Sequence, residues 1–314
     1  MSKLIGYRLL LAAPQLALVA LLAFSLTYVV PGSPAAEILG ANATPELIAQ
    51  VEAKLGLDQP MLTRLVDWFG AAVTGDLGVS YRSAVPVTDL LLERLPATLS
   101  LIVGGLVVAV VFGIGMGVLA GTRPGSIADR LVVGVTSIGN AIPEFWLGLI
   151  LLLVFAVQLG WFPVVGYVPL DVDPAAWFTG LVLPSLALGI GSSALIARQA
   201  RAAMVSALGS PYIDTLTAAG VSRRRIVFRY ALKNAMVPVL SAMGITVNIL
   251  IGASFVVEKV FSVPGIGNLM LTSVIGKDFP VVQGGVLLVA CLVIIVNLLL
   301  DVGYGLLNPQ ARPS

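Results

Sequence analysis

Arg198–Val237 reads RQARAAMVSALGSPYIDTLTAAGVSRRRIVFRYALKNAMV. It carries Arg198, Arg201, Arg223, Arg224, Arg225, Arg229 and Lys233, yet it lies between two long hydrophobic runs. Inside it, Tyr212 to Ala219 has a helical pattern and Gly220 stands where a helix stops. Lys and Arg gather on the cytoplasmic loops of membrane proteins. The stretch is therefore expected to be a structured cytoplasmic loop that meets a partner. The plainer alternative is a basic loop that only meets lipid headgroups, but its length and its helix-stop pattern exceed what topology requires.

The surrounding chain fits lipid. Hydrophobic residues make up 58% of 314 positions and charged residues 11%, with mean hydropathy +1.01. Soluble domains carry about 25% charged residues. The composition predicts an all-α polytopic membrane protein. The absence of histidine disfavours His-based metal sites and His acid–base chemistry, and the single Cys291 excludes an internal disulfide.

Six runs are long enough to span: about 9–30, 97–121, 131–159, 177–197, 236–257 and 281–307. The first follows Lys3 and Arg8 but exceeds a signal-peptide core, so it reads as a retained span. This divides the chain into a first segment and helix (1–30), an extracytoplasmic loop domain (31–96) and a five-span core (97–314). The core includes the loop at about 198–235. The outer segment holds two amphipathic helical patterns, Thr44–Leu55 and Pro60–Val73, the first with Thr44 as N-cap, Pro45 at the first helical position and Gly56 as its stop.

With the N-terminus inside, Lys3, Arg8, Arg123, Arg130, Arg312 and the basic loop face the cytoplasm. The segments 31–96 and 258–280 then lie outside, with acids such as Asp76, Glu258 and Asp278, and so do Asp171 and Asp173 between the third and fourth spans. The reverse orientation violates the positive-inside rule. Gly113, Gly117 and Gly121, at four-residue spacing, predict close helix–helix packing. No GxxxxGK[ST] motif is present, so this chain has no P-loop for a nucleotide.

Asp214-Thr215-Leu216-Thr217-Ala218-Ala219-Gly220 resembles the EAA loop of ABC-importer permeases, E-A-A-x-x-x-G. Asp214 and Gly220 match, while Thr215 and Leu216 depart from the alanines. In the following segment Lys233 replaces a proline of the general pattern, and Pro238 comes five residues later. This variant resembles the dipeptide/oligopeptide branch. So does an ordered series: Pro31–Pro34, LGLDQP (Leu55–Pro60), GDLGVS (Gly75–Ser80), RLPATLSL (Arg94–Leu101), LPSLALG (Leu183–Gly189), IARQARAAM (Ile196–Met204), GASFVVEKVFSVPGIGNL (Gly252–Leu269) and the spaced Asn297, Asp301 and Tyr304.

The resemblance implies a type I ABC-importer permease fold with a large extracytoplasmic loop between the first two of six helices. It implies a non-catalytic subunit in a bacterial inner membrane with both termini cytoplasmic. Its partners would be a homologous second permease, two ATPase subunits carrying ATP and Mg, and an extracytoplasmic binding protein. It implies no cofactor in this chain and no nucleic-acid partner. The implied cargo is a di- or oligopeptide; nickel, heme, glutathione or oligosaccharide import stays open within the family. Tyr212, Asp214, Thr215, Ala218, Ala219, Gly220, Arg223 and Arg224 are then the ATPase-coupling candidates. Small Ala218 and Ala219 allow close approach, and Gly220 permits the turn.

Inside the membrane, Asn140, Pro143, Glu144, Asn248 and Asn297 are candidates for the translocation path or gate. Pro143 is expected to kink the third span. Glu144, roughly 13 residues or about 20 Å from either end, needs a path, a partner subunit or a structural partner. Asn248 and Asn297 equally suit an interhelical hydrogen bond. Arg198 and Arg201 suit snorkelling at the membrane edge. Outside, Trp68 and Phe69, with Asp76 in the next turn, are candidates for binding-protein docking; core packing is the other reading.

Two other classes fit poorly. A proton-coupled carrier, with Glu144 and Asp301 as relays, is expected to show repeats and broken half-helices, and it leaves the basic loop unexplained. An intramembrane hydrolase lacks histidine and lacks paired carboxylates at matching depth.

Overall fold

The computed structural model describes residues 2–29, 32–40, 43–164 and 166–307. Pro31, Arg312 and the side chains of Lys3 and Tyr304 lie outside the described residues. The order is α1 (Ser2–Val29), α2 (Pro34–Leu39), α3 (Pro45–Lys54), α4 (Met61–Val73), α5 (Val87–Gly121), α6 (Ile127–Ala141) and α7 (Glu144–Leu151). There follow α8 (Pro174–Leu208), α9 (Pro211–Ala218), α10 (Arg223–Arg225), α11 (Leu232–Val260), α12 (Ile266–Ile275) and α13 (Phe279–Leu307). π-helical stretches extend α7 through Leu152–Gln158 and join α10 to α11 through Ile226–Ala231. Among the described residues five helices are long and apolar enough to cross a membrane, and a sixth span results if the bent pair α6 and α7 counts as one.

The apolar runs locate the spans but understate the helices. The second span was expected from residue 97, after Pro96, yet α5 begins at Val87 with Pro96 inside it. A proline removes one backbone bond. Here Val87 and Leu91, one turn apart and both buried, give the extra turns a packing face. Likewise α8 runs to Leu208, because Met204 and Ala207 pack with Val227, Ala231 and Ala235 in one buried cluster.

The chain divides into two compact units. One comprises 97–263 and the residues from 296 onward. Its centre is α8, which packs on α6, α7 and α11. The buried residues of α8 are mostly small: Ser185, Ala187, Gly189, Gly191, Ser192, Ser193, Ala194, Ala197 and Ala200. Small residues let backbones approach closely where no water drives association. The expected glycine stripe meets this helix. A Cβ at Gly113 would lie 2.7 Å from Ile196 Cβ, one at Gly121 2.6 Å from Met204 Cβ, and one at Gly117 would collide with Ala200 Cβ. The pairs ascend together, so α5 and α8 run parallel.

The other unit comprises residues up to 96 and 264–295. Val87, Leu91, Ile266 and Val281 form its buried cluster. The α3 pattern is realised as expected: Thr44 Oγ1 accepts from Leu47 N, Pro45 opens the helix, and Gly56 follows its end at φ 65°. The segment 258–280, expected as an outer loop, instead contains α12, whose Ile266 is fully buried. Asp278, expected among solvated acids, is buried; it accepts from Ser80 Oγ at 2.5 Å and from Tyr81 N at 2.9 Å. Glu258, in the first unit, is also fully buried and accepts from Thr98 Oγ1 at 2.6 Å. In both, protein donors replace water around the carboxylate, which sequence position does not reveal.

Candidate functional site

Helix α9 follows α8 after only Gly209 and Ser210, and Pro211 stands at its first position. Ile213 is buried, while Asp214, Thr215, Thr217, Ala218 and Ala219 are exposed. One side of this two-turn helix is anchored and the other is bare. The stop is well made. Gly220 N donates to Thr217 O at 3.0 Å and Val221 N donates to Leu216 O at 3.0 Å, with Gly220 at φ 76°. That pair of bonds is the Schellman closure, which uses a left-handed residue. Tyr212 faces inward along the loop: its hydroxyl accepts from Asn234 Nδ2 at 3.0 Å, tying α9 to α11.

Arg223 and Arg224, expected beside α9 as coupling residues, line a groove with the C-terminal end of α5. Arg223 Nη2 donates to Thr122 O at 3.2 Å. Arg201 departs from snorkelling. It forms a two-pronged ion pair with Asp129, Nε to Oδ1 at 2.5 Å and Nη2 to Oδ2 at 2.8 Å. Asp129 also accepts from Gly125 N at 2.8 Å, and its own N–H donates to Ser126 Oγ at 3.2 Å. Ser126 thus caps the first turn of α6, while the Asp129 carboxylate fixes the preceding Gly125 N–H and holds α6 to α8. The sequence signal was present as S-x-x-D ahead of an apolar run, but the link to Arg201 crosses 72 residues.

The third span is not a kinked helix. It is interrupted, because Ile142 and Pro143 are both extended, with ψ 123° and 138°. A residue before proline avoids the helical region, and Pro143 has no N–H for Gly139 O. The axes of α6 and α7 meet at 98°. Glu144 is therefore the first residue of a new helix, and counting residues from the span ends no longer gives its depth. Its side chain is half-buried against α8: a Cβ at Gly191 would lie 3.4 Å from Glu144 Cγ and 3.6 Å from Oε1. Asn140, one turn earlier, is exposed. Asn248 and Asn297 come together as an interhelical pair, Nδ2 to Oδ1 at 3.2 Å.

In the second unit, Trp68 packs on Phe24 of α1, centroids 6.0 Å apart, with the Arg64 guanidinium 5.8 Å from the Phe24 ring centre. Phe69, its neighbour, is exposed. Asp76 Oδ1 accepts from Gly78 N at 2.8 Å and so shapes its own turn.

The model of the family described as "Binding-protein-dependent transport system inner membrane component" matches residues 113–313, and its N-terminal companion matches residues 1–102. The chain belongs to this family. Three relatives match this chain almost end to end. The dipeptide transport system permease protein of Escherichia coli is 37% identical, over 99% of both chains. A probable peptide ABC transporter permease of Sinorhizobium fredii is 38% identical over 97% of both. The glutathione transport system permease protein of Escherichia coli is 40% identical over 97% of both. A solved structure, the inward-facing MetNI methionine ABC transporter, matches 70% of this chain and 96% of its own with a TM-score of 0.57 at 23% identity. The permease fold is thus a type I ABC-importer fold. The interrupted third span removes the absence of broken helices as an argument against a carrier; membership in a binding-protein-dependent family decides against one.

Proposed function

We propose that this permease is the transmembrane subunit of an ATP-driven peptide importer and that α9 is where an ATPase subunit docks. The observation that carries the docking reading is the bare side of α9, Asp214, Thr215, Ala218 and Ala219, held on a helix anchored by Ile213 and closed at Gly220. A displaced α9 would push on α8 across two residues and on α11 through Tyr212–Asn234. From α8 the push would reach α6 through Arg201–Asp129. The ATP and Mg belong to the two ATPase subunits, and a second permease and an extracytoplasmic binding protein complete the assembly. The orientation follows the basic loop: termini and α9 at the cytoplasm and 31–96 outside, in one unit with 264–295, while 97–263 and the residues from 296 onward form the permease core. Glu144 at the head of α7 is the residue assigned to the path or gate, and Phe69 to docking of the binding protein.

Peptide cargo is supported by relatives named for peptide and dipeptide transport. The equally similar glutathione permease favours a second reading, glutathione, which is itself a peptide. Reconstitution of the complex in vesicles tests both. ATP-dependent accumulation of labelled dipeptide supports the first reading, selective accumulation of glutathione supports the second, and neither accumulating rejects both.

A further inference from the structure

The C-terminal end of α5 and the α10–α11 segment line a groove of about 590 Å³ beside the coupling helix, and Arg223 and Arg224, expected to serve coupling, turn into it. Its floor is apolar, with Gly115 and Leu119 from α5 and Phe228 and Leu232 opposite. Its rim is cationic: Arg123, Arg223 and Arg224. Arg224 and Phe228 also line an adjoining cavity of about 670 Å³, which adds Arg225, Arg229 and Lys233. Among the described residues, neither lining contains a carboxylate. Arg223 is held at the rim by its bond to Thr122 O.

The apolar floor continues along α5. Val107, Val111, Gly115 and Leu119 recur every four residues and so share one face. Val111 is 63% exposed and Leu119 54%, and a Cβ at Gly115 would meet nothing within 4 Å, so the stripe has a dent at Gly115. Phe228 stands 59% exposed beside the arginines. A purely ionic partner would leave the groove floor and exposed Phe228 without an apolar neighbour, and a purely apolar one would give the rim guanidinium groups no anion. The occupant that satisfies both is an amphiphile with an anionic head.

We propose that this groove binds an anionic phospholipid. Its phosphate sits among Arg123, Arg223 and Arg224, which can present paired N–H donors to phosphate oxygens. One acyl chain lies over Gly115 along the α5 stripe. Basic pockets between membrane helices hold such headgroups by the same chemistry.

The test is native mass spectrometry of the intact transport complex in detergent, with phosphatidylglycerol and phosphatidylcholine of equal chain length as probes and inorganic phosphate as competitor. Phosphatidylglycerol is retained and phosphatidylcholine is not. Arg123→Gln weakens retention about fivefold and Arg123→Gln with Arg224→Gln about thirtyfold, since each cation at an anionic surface contributes about 1 kcal/mol. Arg123→Lys keeps most of it. Gly115→Leu removes retention with charge unchanged, because it fills the acyl dent; thermal unfolding of each variant confirms folding. Equal retention of both lipids overturns the proposal. So does loss in the arginine variants with full retention in Gly115→Leu and displacement by phosphate, which would mean a free-phosphate site. Retention by the isolated chain but not by the complex would assign the groove to a protein partner. None of these readouts depends on orientation or cargo, so failure here leaves the transport reading standing.

Discussion

Arg201 of α8 holds both carboxylate oxygens of Asp129, which sits in the first turn of α6 and also accepts from Gly125 N just before it. One carboxylate thus braces the turn that leads into a helix and fastens that helix to the central helix of its unit. Asp129→Asn and Arg201→Gln should each lower the unfolding temperature of the purified permease. Each effect should exceed that of Arg130→Gln on the neighbouring exposed arginine. The exchange Asp129→Arg with Arg201→Asp should recover part of the loss, because pairing is restored while the carboxylate's bond from Gly125 N is not. Equal effects of all single variants would remove the pair from the scaffold.

Gly220 has open space around it, and only its backbone conformation restricts replacement. Gly220→Val should therefore cost about 1–3 kcal/mol locally, while Gly220→Asn, which tolerates the left-handed region, stays near the parent. In vesicles carrying the full complex, the valine variant should hydrolyse ATP with reduced peptide uptake or lose its ATPase subunits. Normal coupled uptake by a stable Gly220→Val complex would count against α9 as the docking helix.

The contact of α5 with α8 leaves no room at Gly113, Gly117 or Gly121. Gly113→Leu should destabilise by at least the ~1–3 kcal/mol typical of an overpacked core, with loss of folded protein in detergent. Gly134→Ala is the control, since nothing lies within 4 Å of a Cβ there. Size-exclusion profiles and thermal melts distinguish the two.

Glu144 lies against Gly191, so the two positions should behave as one site. If Glu144 serves the path, Glu144→Gln alters transport rate or peptide preference with assembly intact. Gly191→Val, which crowds the carboxylate from α8, should then produce a similar change. A Glu144→Gln complex with lowered melting temperature but unchanged transport per complex would make the residue structural.

The sequence by itself determined the class, the approximate spans, the α9 helix with its glycine stop, the α3 caps and the glycine stripe. Each of these rests on local physics: runs of apolar residues, a capping residue beside its helix, or a period that puts glycines on one face. The two asparagines could be read only as apolar-run polar groups with two possible roles, because their pairing joins residues 49 apart. Glu258 and Asp278 could be read only as acids of the outer face and Asp129 drew no reading, since their donors Thr98, Ser80 and Arg201 lie 160, 198 and 72 residues away. The tertiary structure alone decided these, and it also turned Arg223 and Arg224 toward α5 and set α7 at 98° to α6. Pro143 announced a disturbance, but a proline only removes one hydrogen bond and biases one neighbour. Whether the chain then bends or breaks depends on what packs against each half, and here the buried small residues of α8, with Gly191 beside Glu144, leave the room in which a second helix begins.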